Sequence, residues 1–169
     1  MALYLKPQPN NYISSFKIPV SYLDKSISVV CTYKIDEFSP EYRFANIAIG
    51  AIDAYVNDTA DMPFINLDNI NIFLCDDNLL SFGDNFDPHA CTCGNALIAA
   101  ICNVQRMKSI GFNEAHMVAV LIEEIVHIAY GIFDETAVKH KVISIMNQYY
   151  GVLDFKSFYA SFPGKPNLI

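Results

Sequence analysis

Three ionisable side chains interrupt the most apolar stretch of the chain. The segment Met117 to Phe133, MVAVLIEEIVHIAYGIF, carries Glu123, Glu124 and His127 among aliphatic and aromatic neighbours. A helix that is apolar nearly all round is normally central and buried. Burying one unpaired carboxylate costs several kcal/mol or forces it to protonate. Two adjacent carboxylates and a histidine therefore need compensation from a metal ion, a buried ion pair or a water-filled cleft. On a helix, Glu123 and His127 are four apart and stack on one face, and Glu124 and His127, three apart, are also neighbours. The spacing of four lets two side chains converge on one ion. His116 falls on the same stripe but about 16 Å away along the axis, too far to bind the same ion as His127. The competing reading pairs Glu123 and Glu124 with Arg43, Arg106, Lys108 or Lys139, and leaves His127 as a hydrogen-bonded core residue.

The block Glu123-Glu124-Ile125-Val126-His127 resembles the HExxH helix of zincin metallopeptidases, with glutamate in place of the first histidine. The resemblance implies that His127 is a zinc ligand, that Glu123 takes the first ligand position and that Glu124 is the general base that activates water. Carboxylate oxygen is an acceptable zinc ligand, and the replacement lowers affinity and preference for soft metals. Downstream, Gly131 and Asp134-Glu135 are similar to the zincin arrangement in which a glycine turn returns a third ligand. That ligand would be Asp134 or Glu135, at a spacing one residue from the HxxGxxH or HxxGxxD form. The resemblance implies a zincin-like fold, a small sheet packed against a buried central helix and flanking helices. It also implies zinc or another divalent metal as cofactor, and a peptide or amide bond as substrate. The missing histidine leaves an alternative: a catalytically inactive zincin-like protein that binds or inhibits a protein partner. An acidic mobile-element protein, such as an anti-CRISPR that blocks a nucleic-acid-binding partner, is one form of it.

Other groupings carry less. Glu124 to His127 is also the ExxH of di-iron bundles, but no second copy exists in the chain. His89, Cys91 and Cys93 cluster before Gly94, yet Cys-x-Cys without a second pair is a weak zinc signal, and buried or free thiols are the expectation. No local signature marks Cys91 or Cys93 as a nucleophile, and there is no Walker loop and no GxGxxG. His140, between two lysines, reads as a solvated helix residue. Asp58, Asp61, Asp76, Asp77, Asp84 and Asp87 read as loop and element-end residues.

The elements that must position the Glu/His block follow from periodicity. Residues 12–35 predict a β-hairpin turning at Asp24-Lys25. Ser39 and Pro40 predict a helix start, with Phe44, Ile47, Ala48, Ala51, Ile52, Tyr55 and Val56 forming an apolar stripe down to about residue 58. Residues 69–77 predict a strand. A polar loop with Gly83, Asp84, Asn85 and Pro88 follows, and residues 96–104 read as a buried strand or a helix. Asn113 predicts the cap of a long helix to about Phe133. Asp134 predicts the cap of a second helix that Gly151 stops, and a short helix is expected over 154–160. The order of strands and helices indicates one α+β domain over residues 1–169, with helices on an antiparallel or mixed sheet.

Composition sets the frame. The 169 residues are 53% hydrophobic and 17% charged, which excludes a disordered chain. Eleven Lys/Arg against eighteen Asp/Glu give a net charge of −7. That balance argues against direct nucleic-acid binding and against anionic membranes. The start MALYLKPQPNNY lacks the pattern of a secretory signal, and five irregularly spaced cysteines suit cytosolic thiols, so a cytoplasmic protein is expected. The segment from Met117 is barely long enough to cross a bilayer and carries three costly residues at its centre, so no membrane span is expected.

Overall fold

The computed structural model describes residues 3–5, 14–76, 80–82, 90–93 and 98–164, with side chains for 14–76 and 98–164. The strands are β1 (Leu3–Leu5), β2 (Ser14–Val20), β3 (Lys25–Cys31), β4 (Asn71–Cys75), β5 (Leu80–Phe82), β6 (Ala90–Cys93) and β7 (Ala99–Asn103). The helices are α1 (Pro40–Thr59), α2 (Val104–Ser109), α3 (Glu114–Ala129), α4 (Glu135–Tyr150) and α5 (Phe155–Ala160). A five-stranded sheet has the order β2-β3-β4-β7-β6, and β1 pairs with β5 separately. The larger sheet is mixed: β3, β4 and β7 run parallel, and β2 and β6 flank them antiparallel. The fold is therefore α+β with a mixed sheet, as the element order predicted.

Alternation along the strands decides which face the helices cover. Ile18, Val20, Ile27, Val29, Ile72 and Leu74 are buried, while Ser15, Lys17, Ser26 and Ser28 between them are exposed. This period of two is the signature of a half-buried sheet. In β7 all five residues are buried, which suits a strand between two neighbours. Helices α1, α3 and α4 pack against one another, α1 against β2 and α3 against β6 and β7. Among the described residues no helix is long and apolar enough to cross a membrane.

Several boundaries differ from the sequence expectation for local reasons. The hairpin turns through a 3-10 turn over Ser21–Leu23, after which Asp24 takes a left-handed conformation (φ 51°) and donates its N–H to the Ser21 carbonyl. The second strand stops at Cys31, not near residue 35. Ser39 occupies the cap position of α1, but its hydroxyl turns back to Asp36 instead of capping the helix. Of residues 96–104, 96 and 97 lie outside the described residues; 99–103 form β7 and Val104 opens α2, where Asn103 accepts the Arg106 N–H and starts the helix. The strand expected over 69–77 is Asn71–Cys75. Asp77, Gly83, Asp84, Asn85, Asp87 and Pro88 lie outside the described residues.

The two helices around the Glu/His block begin where their caps predicted. The Asn113 side chain accepts the His116 N–H, and the Asn113 N–H bonds to His116 Nδ1, a reciprocal capping box. Asp134 Oδ1 accepts the Ala137 N–H at 2.7 Å to start α4, and Gly151 (φ 74°) ends it. Helix α3 stops at Ala129, four residues before the expected end. There the N–H groups of Phe64 and Ile65 take the Ala129 carbonyl, and Gly131 turns the chain at φ 61°.

His116 also closes the far end of the domain. It is 4% exposed, packs on Phe112, Phe158 and Phe162, and bonds through Nε2 to Ser161 Oγ at 2.9 Å. Ser161 Oγ in turn donates to the Phe158 carbonyl, so His116 is held as the neutral tautomer that accepts at Nδ1 and donates at Nε2. Burial pushes the His116 pKa below its ordinary value of 6.5. The unfolded chain then binds a proton more readily than the folded one, so this contribution to stability is fully present above about pH 6.5 and declines as the pH falls towards the folded pKa. In urea unfolding, the midpoint is expected to drop between pH 7 and 5.5, with a shallower drop in His116→Gln. Equal slopes in the two proteins would count against a buried neutral His116.

Candidate metal centre

Helix α3 and the turn that follows it build the site. Glu123 and His127 stand one turn apart on α3, both half-buried, and Glu135 opens α4 on the other side of the turn. One ligand atom from each of Glu123, His127 and Glu135 lies within 4.8 Å of the other two. His127 Nε2 is 3.9 Å from Glu135 Oε1; the His127 side chain is 14% exposed and that of Glu135 66%. The sequence expectation of a buried glutamate pair is corrected: Glu123 and Glu124 are both half-buried, which lowers the desolvation cost of their charge.

The orientation of the imidazole is set by the backbone. His127 Nδ1 lies 2.7 Å from the Ile132 carbonyl oxygen. A carbonyl only accepts, so Nδ1 carries the proton, and in the neutral ring Nε2 keeps its lone pair towards the carboxylates. This is the support that metal-binding histidines ordinarily have on the nitrogen away from the ion. Phe133, 78% exposed, stacks on the same ring at 6.4 Å between centroids. Tyr159 borders the site from α5. Burial, and then the charges of Glu123 and Glu135, push its phenol up, and its hydroxyl donates to the Lys139 carbonyl at 3.4 Å.

The donor set fits a borderline-to-hard divalent cation: one neutral imidazole nitrogen, two carboxylates and no thiolate. Four-coordinate zinc with donors at about 2.0–2.1 Å requires them to stand about 3.4 Å apart. The 3.9 Å between His127 and Glu135 is therefore wider than a closed site by about half an ångström. Closing the site requires the three ligand atoms, which lie within 4.8 Å of one another, to draw in, and the exposed Glu135 is the member with room to turn. The Glu/His/Glu group could thus hold a metal ion.

Of the two third-ligand candidates, Glu135 joins the group. Asp134 instead caps α4 through Oδ1 and stands outside it. Glu124, the expected general base, sits beside Glu123 on α3 and is not one of the converging three. Two of the cations required by the ion-pair reading are engaged elsewhere. Arg43 pairs with Glu114 at 2.7 Å, and Lys108 pairs with the buried Glu41 at 2.6 Å, which also accepts from Tyr33. Lys139 Nζ lies 5.7 Å over the Tyr159 ring. The sequence marked neither the Ile132 carbonyl nor Tyr159, because a backbone acceptor has no residue type and a tyrosine in an aromatic-rich tail reads as core.

The remaining candidates stay apart from this centre. His140 is exposed, as expected, and stacks on Phe155. Cys31, Cys75 and Cys102 are buried free thiols; burial pushes those of Cys31 and Cys75 up to about 12, which makes them unreactive at neutral pH. His89 and Gly94, and the side chains of Cys91 and Cys93, lie outside the described residues. Compared with protein-family models, with curated proteins and with solved structures, the chain matches none.

Protein purified without a histidine tag is expected to take up one zinc ion in calorimetric titration. A bound ion would tie α3 to α4 and stabilise the fold by about 2.7 kcal/mol when free zinc is about a hundred times Kd. His127→Ala removes both the uptake and the stabilisation. Wild-type protein that takes up no zinc, and unfolds at one temperature with or without it, would contradict the centre.

Proposed function

We propose that the protein is a zincin-like metal-dependent hydrolase that cleaves a peptide or amide bond at the Glu123/His127/Glu135 centre. One observation carries this reading: His127 is fixed by the Ile132 carbonyl with Nε2 turned towards two carboxylates, on the helix whose sequence resembles HExxH. When bound, a divalent ion would supply Lewis acidity for the carbonyl and for the attacking water. Glu123, His127 and Glu135 would hold that ion, and the exposure of Glu135 would leave the centre open to a substrate on one side. Glu124 takes the proton from the attacking water and returns it to the departing amine. His127 would not move a proton here, because its Nδ1–H is occupied by the Ile132 carbonyl and its Nε2 would face the ion.

The competing picture of an acidic binding or inhibitor protein draws on the missing first histidine and on the acidic loops. Of the loop aspartates that the sequence offers for that reading, Asp61 is paired within the fold with Lys141. The hydrolase reading is preferred for the convergence of Glu123, His127 and Glu135, which the binding-protein reading does not call for.

Zinc- or manganese-loaded protein is expected to cleave a mixed-sequence peptide library, detected by mass spectrometry. Glu124→Gln keeps metal binding and fold and lowers the rate by about 10²-fold or more, the usual contribution of a positioned general base. A metal-loaded wild-type protein with no cleavage, or a Glu124→Gln protein as fast as wild type, would overturn the proposal.

A further inference from the structure

The turn that supplies Ile132 and Glu135 to the centre is tied down by a second set of residues, Asp61, Tyr130 and Lys141. Lys141 lies on α4, six residues past Glu135 and therefore about 9 Å along the helix axis. Its side chain is 13% exposed and its ammonium makes an ion pair with Asp61. The same ammonium stands 4.1 Å over the Tyr130 ring and 4.7 Å over the Tyr55 ring, and donates to the Tyr55 hydroxyl at 3.2 Å. Tyr130 is the first residue after α3, and its hydroxyl donates to the Asp61 carbonyl at 2.9 Å. Tyr55 of α1 donates to the Asp61 carboxylate at 2.9 Å. Three residues further on, Phe64 and Ile65 hold the Ala129 carbonyl.

Asp61 is therefore the common anchor for both ends of the turn. It fixes Tyr130 where the turn begins and, through Lys141, the helix into which the turn leads. Between these ends, five residues place the Ile132 carbonyl against His127 Nδ1 and bring Glu135 to within 3.9 Å of Nε2. The Lys141 ammonium is the desolvated partner, held by two aromatic rings, whereas the Asp61 side chain is 44% exposed, so loss of Asp61 leaves a mostly buried cation without its counter-ion.

We infer that Asp61, Tyr130 and Lys141 form a positioning latch that sets the metal affinity of the Glu123/His127/Glu135 centre from a distance. The inference rests on the metal reading proposed above. Its test measures zinc affinity by competition with a chromophoric chelator, and the ligand-field absorption of the cobalt(II)-substituted protein. Lys141→Met and Asp61→Asn are expected to bind zinc about tenfold more weakly, in the range usual for loss of a residue that supports metal ligands, and to shift the cobalt bands. Tyr130→Phe removes only one tether and carries the test if the stronger variants do not fold. Lys25→Met breaks the Lys25–Asp68 pair away from the turn and is expected to change neither reading. Wild type that binds and latch variants that match it in affinity and spectrum overturn the latch alone. Wild type that binds neither zinc nor cobalt overturns both the latch and the metal reading.

Discussion

Burial of α3 is the constraint on which the rest of the structure depends. Ten of its sixteen residues are buried, so cover is needed around most of its circumference. Strands β6 and β7 supply the floor, and α1 and α4 supply the flanks. In its C-terminal half only Glu123, Glu124, His127 and Ile128 keep partial access to solvent. Those positions fall on one strip of a 3.6-residue helix. The ionisable residues of this half thus lie on the line of the helix where charge costs least. The same line faces the turn into α4.

That turn does three jobs in five residues. Gly131 reverses the chain with a left-handed φ that other residues adopt at a cost. Ile132 offers its carbonyl to His127, and Asp134 starts α4 so that Glu135 stands beside the histidine. A carboxylate committed to the helix cap is a poor ligand for an ion, and the neighbouring carboxylate is free of that duty. The assignment of Asp134 to structure and Glu135 to the candidate centre follows from this division.

Much of this was legible in the sequence because caps and periodicities are local. Asn113, Asp134, Asp154 and Gly151 marked element ends correctly, and the four-residue spacing put Glu123 and His127 on one face. The end of α3 was not legible, because it is set by Phe64 and Ile65 from another part of the chain. Strands β1, β5 and β6 were missed for a related reason: they are three or four residues long and exist through pairing, not through any alternating run of their own. The cap role of Asp134 was visible, and so was its candidacy as a ligand. Only the fold shows that one oxygen cannot readily serve both.

The central claim concerns three side chains and one ion, and diffraction addresses it directly. Crystals grown with zinc, and measured on both sides of the zinc absorption edge, are predicted to show one anomalous peak. It should lie about 2.0–2.2 Å from a Glu123 oxygen, His127 Nε2 and a Glu135 oxygen, with His127 Nδ1 still bonded to the Ile132 carbonyl. An anomalous map with no peak between these residues at saturating zinc would contradict the account.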